Sequence, residues 1–327
     1  MSIRVFNRSR PDIGYADVFV QRPGRLRGRQ GNERVLTLMD AASLASTTAL
    51  ELSHADSSPD FVTISFYKIF GLPDLGALLV QKRHFPLLQR RRYFGGGTVE
   101  MVTSRPYAWH ALKQGRIHEA LEDGTLPFHS IIALGHAIDV HKEIYGPDPM
   151  QVISRNTTAL SSELRRSLLE LRHDNGLPVV KLYGDNDIQR THGDNQGAVL
   201  ALNILRADGE LVGHKEVERC ASEHSIYVRS GSLCNPGGVA THLGWDSKDL
   251  RQAYDAGHRC SNPSQFALGR PTGVVRVSLG AASTVSDIHA FVHFVQQMYV
   301  RSEDLGLSNL AVPSLIFSDF DGVGSHE

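Results

Sequence analysis

MDAASLASTTALELSHADSSPDFVTISFYKIFGLPDLGALLV, residues 39–80, decides how this chain is read. Within it FVTISF (61–66) has the β-branched, apolar pattern of a buried strand, and GALLVQK (76–82) is a second such run. Just ahead, RVLTLMD (34–40) is a third, closing on Asp40. Residues 43–52 are expected to form a short helix between the first two strands. Three short strands with Gly71, Pro73 and Gly76 at their turns predict an α/β core. Lys68 stands where an apolar strand runs into a glycine-bearing loop, a poor place for a solvated amine. Burial is expected there, the setting that favours the neutral amine needed to form an imine. On spacing alone, a surface lysine at a strand end is the commoner arrangement.

Outward from this stretch, HALKQGRIHEALEDGT (110–125) reads as a helix stopping at Gly124, and SIIALGHAIDVHKEIYG (130–146) as another stopping at Gly146. RNTTALSSELRRSLLELRH (155–173) is amphipathic, with Leu160, Leu164, Leu168 and Leu171 on one face. VVKLYG (179–184), GAVLALNIL (197–205) and VVRVSLG (274–280) read as strands, and residues 214–224 and 286–299 as helices. The Ser/Gly/Asp-rich residues from about 303 read as a flexible tail. The expected division is a poorly matched segment 1–33, a larger portion 34–150, a smaller α/β domain 151–302 and the tail 303–327.

The 327 residues carry a formal net charge of −1, which leaves no cation excess for wholesale phosphate neutralisation, so no nucleic-acid partner is expected. No apolar run is long enough to span a bilayer, and no signal peptide is evident. Asp12 and Asp17 interrupt the arginines between Arg4 and Arg29, unlike a transit peptide, so a cytoplasmic location is expected. Cys220, Cys234 and Cys260 form no CxxC pair, so neither a metal site nor a redox pair is expected.

Chemistry of a particular kind needs the groups of residues 39–80. In pyridoxal-phosphate (PLP) enzymes a Schiff-base lysine joins the cofactor aldehyde, a carboxylate faces the pyridine nitrogen, and hydroxyls with backbone N–H groups hold the phosphate. Gly95-Gly96-Gly97-Thr98 suits such a cradle, although a turn is the commoner reading. Glu122-Asp123-Gly124-Thr125 is expected to be structural, with Gly124 and Thr125 capping the next helix. Cys234, in RSGSLCNPGG (229–238), sits in a loop downstream of Arg229, where a nucleophilic thiol would be exposed, mobile and near positive charge. Arg276 offers a fork suited to a carboxylate.

SFYKIFG followed by LGALLV resembles the PLP-lysine segment of the class V aminotransferase fold, and is most similar to molybdenum cofactor sulfurases. Cysteine desulfurases carry His before the lysine; this chain has Tyr67, as is usual on the sulfurase side. YFGGGTVEMV (93–102), ALEDGT (120–125), RSGSLCNPGG (229–238) and RVSLGAASTVSDIHAFVHFV (276–295) continue the resemblance in order. It implies PLP-dependent transferase fold type I, with an incomplete large domain built on a central mixed sheet and a smaller C-terminal α/β domain. It further implies Lys68 as the Schiff-base lysine, Asp40 as pyridinium partner, Ser65 as phosphate ligand, and Gly97 and Thr98 as a loop reaching the cofactor of a second subunit in a homodimer. Cys234 becomes the persulfide cysteine, and Arg276 with Arg229 the substrate-binding arginines. Residues 1–34 match neither the ring-stacking residue nor the phosphate turn that the family places upstream, and no block matches the cofactor-binding C-terminal domain of the sulfurases.

The implied activity is a PLP-dependent cysteine desulfurase or sulfurtransferase that forms a persulfide from L-cysteine, its sulfur acceptor not identified. Two other readings stay open: a catalytically inactive class V-like chain that binds partners or dimerises, and a PLP lyase of a different reaction type.

Overall fold

The computed structural model describes residues 3–5, 36–54, 58–89, 91–184, 197–259 and 264–300. The segment 1–33 is thus represented by one short strand, and the tail 303–327 lies outside the described residues.

The first sheet has the order β1 (Ile3–Val5), β2 (Leu36–Asp40), β3 (Phe61–Ser65), β4 (Gly76–Val80). The first three strands are parallel and β4 runs antiparallel to β3, which makes the sheet mixed. Met39, Ala41, Ala45 and Val62 form its buried cluster, with Leu50, Leu52, Ile64 and Ile69 packed against them. The helix expected over 43–52 shrinks to one 3-10 turn, Leu44–Ser46, after which the chain is irregular. Between β3 and β4 lies the five-residue helix α1 (Phe66–Phe70), which ends at Gly71 with φ 77°, a conformation glycine adopts at no steric cost.

A buried polar network fixes the sheet at the end remote from Lys68. Asp60 is 5% exposed and accepts from the Thr37 N–H (2.9 Å), Arg83 Nη2 (3.1 Å) and His84 Nε2 (2.5 Å). Thr37 is the second residue of β2, Asp60 precedes β3, and Arg83 and His84 follow β4, so one carboxylate ties three strands together. Burial alone would raise its pKa. The Thr37 N–H, Arg83 and His84 outweigh burial and hold the carboxyl below the usual aspartate range.

Next come α2 (Phe85–Leu88) and a separate hairpin, β5 (Val99–Thr103) with β6 (Trp109–Leu112). The expected helix over 110–125 is therefore replaced by a strand and turns. Two long helices follow, α3 (Phe128–Tyr145) and α4 (Pro149–Glu170). α4 buries Ile153, Thr157, Leu160, Leu164 and Leu168, spaced at the helical period, and its three leucines join the core of the second sheet. α3 buries none of its residues.

The second sheet is antiparallel throughout, in the order β7 (Val180–Tyr183), β8 (Val199–Ile204), β12 (Val274–Ser278), β9 (Arg229–Gly231). Between its strands run α5 (His214–Glu223), α6 (Pro236–Leu243), α7 (Ser247–Asp255) and the short pair β10 (Phe266–Ala267) and β11 (Arg270–Pro271). α8 (Val285–Val295) closes the unit, with Thr284 and Asp287 forming a capping box. One face of the sheet carries Leu182, Leu202, Val275 and Val277, which join Leu164, Val217, Ile288 and Phe294 in the main core. The other face carries the row Tyr183, Ala201, Arg276, Arg229, set side by side by the register of the four strands.

Candidate active site

Asp40 and Lys68 follow neighbouring parallel strands and lie at the same edge of the first sheet. Asp40 pairs in register with Thr63, and α1 with Lys68 begins directly after β3. The carboxyl ends of parallel strands are where open α/β sheets take their ligands, because both chains turn away there and leave a crevice. Asp40 Oδ1 accepts from the Ala42 N–H (3.0 Å) and the Thr63 hydroxyl (3.3 Å), which orients the exposed carboxylate. Ser65 stands at the N-cap position of α1, and its side chain makes no capping hydrogen bond.

Lys68 corrects one expectation. It is exposed, its Nζ 6.0 Å from the Tyr67 ring centroid. α1 packs on the sheet cluster through Ile69, which turns its neighbour Lys68 outward. Burial was inferred from the apolar strand before it, but the strand ends at Ser65 and the lysine sits on the helical turn that follows.

The glycine block does something other than present free donors. The Gly95 N–H donates to Asp123 Oδ1 (2.5 Å), and the Gly97 N–H to the Asp123 carbonyl (2.9 Å). Thr98 is fully buried, and both its N–H and its hydroxyl donate to the Gly95 carbonyl. Arg91 grips the Asp123 carboxylate with two nitrogens (2.6 and 2.8 Å), and this pairing with the Gly95 N–H holds the carboxyl below the usual range. The glycine and acidic segments are thus one folded unit. The donors of Gly97 and Thr98 proposed for a phosphate are engaged within it. Gly124 and Thr125 do not cap the next helix, whose N-cap position is Pro127.

On the second sheet the structure brings three expected residues together. Arg229 and Arg276 pair in register on β9 and β12, which places their side chains on one face. Cys234 is exposed, and Arg229 Nη2 lies 3.0 Å from its sulfur. Sequence reasoning missed what holds this cluster. Leu233, 2% exposed, packs with Tyr183, Ala201, Val239 and Val274 beneath the loop. Tyr183 heads the arginine row, and burial pushes its hydroxyl well above the ordinary tyrosine range. Cys220 is buried in the core, and Cys260 lies outside the described residues.

The two regions meet through a groove of about 560 Å³ lined by Ile69 and Phe70 of α1, Val140, His141 and Ile144 of α3, and residues 280–283 after β12. His141 packs edge-on against Phe70, and burial lowers its pKa. Among the described residues no group of three or more His, Cys, Asp or Glu side chains could hold a metal ion, and no helix is long and apolar enough to cross a membrane.

Residues 26–291 match the family described as aminotransferase class V, which is most of the chain. The chain belongs to the class V aminotransferase family. This class V chain is 49% identical over 277 residues to a molybdenum cofactor sulfurase from Neosartorya fischeri, covering 85% of this chain and 32% of the relative. It is 47% identical over 273 residues to one from Aspergillus niger, covering 84% of this chain and 33% of the relative. It therefore spans about a third of the length of these curated relatives. Among solved structures, the apo cysteine desulfurase of Thermococcus onnurineus superposes with a TM-score of 0.57 at 20% identity, over 80% of this chain and 52% of that one. The cysteine desulfurase CsdA of Escherichia coli superposes with a TM-score of 0.56 at 18% identity, over 80% and 51%. The class V chain shares their fold, that of the type I PLP-dependent enzymes, and corresponds to about half of it.

Proposed function

We propose that this chain is the part of a PLP-dependent sulfurtransferase that takes sulfur from L-cysteine onto Cys234. The observation that carries the reading is that Asp40 ends β2 and Lys68 follows the neighbouring parallel strand β3 on α1, at the same end of the sheet. The residues there fit the cofactor. Lys68 offers an exposed amine, Asp40 a carboxylate oriented through one oxygen, and Ser65 a hydroxyl not spent on capping α1. When bound, PLP supplies an electron sink for the substrate carbon. Lys68 would hold the cofactor and then move protons at the substrate, Asp40 would keep the ring nitrogen protonated, and Arg276 would clamp the substrate carboxylate. Cys234 Sγ would form a bond to the substrate sulfur. The substrate carbon–sulfur bond breaks with its electron pair going to carbon, that carbon collects a proton, and alanine leaves with a persulfide on Cys234.

Relatives at 49% identity are named molybdenum cofactor sulfurases, which supports that cofactor as the eventual sulfur acceptor. We further propose that a second copy covers the β5–β6 hairpin. Met101 is 60% exposed, Tyr107 83% and Trp109 55%, and an isolated two-stranded hairpin with such an apolar surface needs a partner.

The test is to add PLP to the purified protein, record the visible absorbance band, then add L-cysteine and quantify alanine and the mass of the Cys234 peptide. The expected result is a band lost in Lys68→Ala, and a mass gain of one sulfur on Cys234 lost in both Lys68→Ala and Cys234→Ala. A protein that stays colourless, or desulfuration that survives both substitutions, overturns the reading.

A further inference from the structure

We propose that Arg229 is the positioning residue for the reactive sulfur, leaving the substrate carboxylate to Arg276. This rests on the sulfur transfer proposed for Cys234, and assigns different tasks to two arginines that the sequence alone groups as substrate-binding.

The loop that carries Cys234 is pinned on both sides. At its root Gly231 has φ 98° and lies against Gly273 so closely that a Cβ on Gly273 would fall 2.6 Å from the Gly231 Cα. Leu233 anchors the backbone immediately before the cysteine in the cluster beneath it. Immediately after, the Asn235 N–H donates to the Ser232 carbonyl, and its side chain caps α6 at the Gly238 N–H (3.1 Å). Leu233 (φ 57°) and Cys234 (φ 58°) are consecutive non-glycine residues in the left-handed region, a conformation that persists only where surrounding contacts hold it. Where a mobile cysteine was expected, the structure places an exposed one on a turn held by these contacts.

At that fixed position the neighbour is a guanidinium. Arg229 Nη2 lies 3.0 Å from the sulfur, and among the described residues Arg229 makes no ion pair with a carboxylate. It stands directly opposite Arg276, and like charges in that position disfavour each other unless an anion lies near. On β9 its neighbour Ser230 points to the opposite face and donates to Glu218 of α5 (2.6 Å), which fixes the strand and therefore the side on which Arg229 emerges. Sulfur transfer leaves the persulfide's charge on its terminal sulfur, one bond further out. A guanidinium with several N–H groups in one plane can follow that charge, and so holds the sulfur where the acceptor must meet it.

The test reads the field at the sulfur without cofactor or substrate. The full chain is alkylated at Cys234 with iodoacetate, an anion, and with iodoacetamide, its neutral analogue, and the two rates are followed by the mass of the Cys234 peptide. The ratio of iodoacetate to iodoacetamide rate is expected to fall roughly fivefold in Arg229→Gln and Arg229→Ala, the factor for one unit-charge pair about 4 Å apart in water. Arg229→Lys keeps most of the ratio. Two neutral variants guard against one failing to fold, and thermal melts report which is native. An unchanged ratio in a folded neutral variant overturns the proposal, as does a loss in Arg229→Lys as complete as in Arg229→Gln. Absence of desulfuration in the unsubstituted chain, with the ratio behaving as expected, would sink the proposed reaction and leave the placement of Arg229 at the sulfur standing.

Discussion

Replacing Asp60 by Asn tests whether the polar network at the far end of the first sheet stabilises the strands that carry Asp40 and Lys68. Both oxygens of Asp60 are used: Oδ2 takes the Thr37 N–H and hydroxyl, and Oδ1 takes Arg83 and His84. An amide keeps one acceptor and turns an NH₂ toward the other pair of donors, so half the network loses its partner in a site only 5% exposed. Each buried donor left unsatisfied costs about 1–3 kcal/mol, and breaking a buried charged pair about 3–5, so a loss of about 3 kcal/mol is expected. At about 2–4 °C per kcal/mol for a domain of this order, the melting temperature should drop by roughly 6–12 °C. The difference should also depend on pH. The carboxyl is held below its unfolded value, so its stabilisation is full above the unfolded pKa and is lost as pH falls through the folded one. The gap between wild type and Asp60→Asn should therefore narrow below about pH 4. Melts followed by circular dichroism check both points, with Glu163→Gln, which loses a half-exposed ion pair on the surface of α4, as a control expected to change little. A shift within the control's scatter, or a gap that stays the same down to pH 3.5, would refute the account.

Further substitutions test the packing and the caps. Gly95→Ala and Gly97→Ala should destabilise the glycine turn, because the new Cβ would fall 2.3 Å from the Asp123 carbonyl oxygen and 2.5 Å from that of Glu122, whereas Gly96→Ala meets open space and should melt like wild type. Equal melts for all three would remove the packing explanation for this block. Gln265→Ala should cost about 1 kcal/mol, the usual value of a helix cap, because its side-chain oxygen accepts from the first N–H groups of α5, those of Lys215 and Glu216 (both 3.0 Å); denaturant titration measures it. Gly213→Ala should cost no more than loss of this cap, since its Cβ would land 2.2 Å from that same oxygen and the flexible Gln265 side chain can swing away.

Local patterns carried much of the fold. β2, β3, β4, β7, β8 and β12 read correctly from short apolar runs, and α3, α4, α5 and α8 from helical spacing; in α4, α5 and α8 burial on one side imposes that period on the sequence. Residues 110–125 misled because their apolar residues suit a helix as well as a hairpin, and the choice rests on pairing with Val99–Thr103. Residues 43–52 misled for the opposite reason: nothing local opposed a helix, but the chain there has to pass over the Met39–Val62 cluster instead.

At the site, residue identity came from the sequence and placement from the tertiary structure. A lysine and an aspartate at strand ends, and a cysteine in a Gly/Pro/Asn-rich loop five residues after an arginine, are facts of the chain. Their neighbours are separated by long stretches of chain: Arg276 reaches Arg229 only through the register of β12 on β9, and Asp123 reaches Gly95 only when Arg91 holds it there. The exposure of Lys68 and the constraint on Cys234 depend in the same way on Ile69 and Leu233, apolar neighbours that find the core and so decide which way the reactive side chains face. Hydrophobic period is a local property that a sequence displays directly, whereas register, charge pairing and side-chain direction arise only once distant segments have packed.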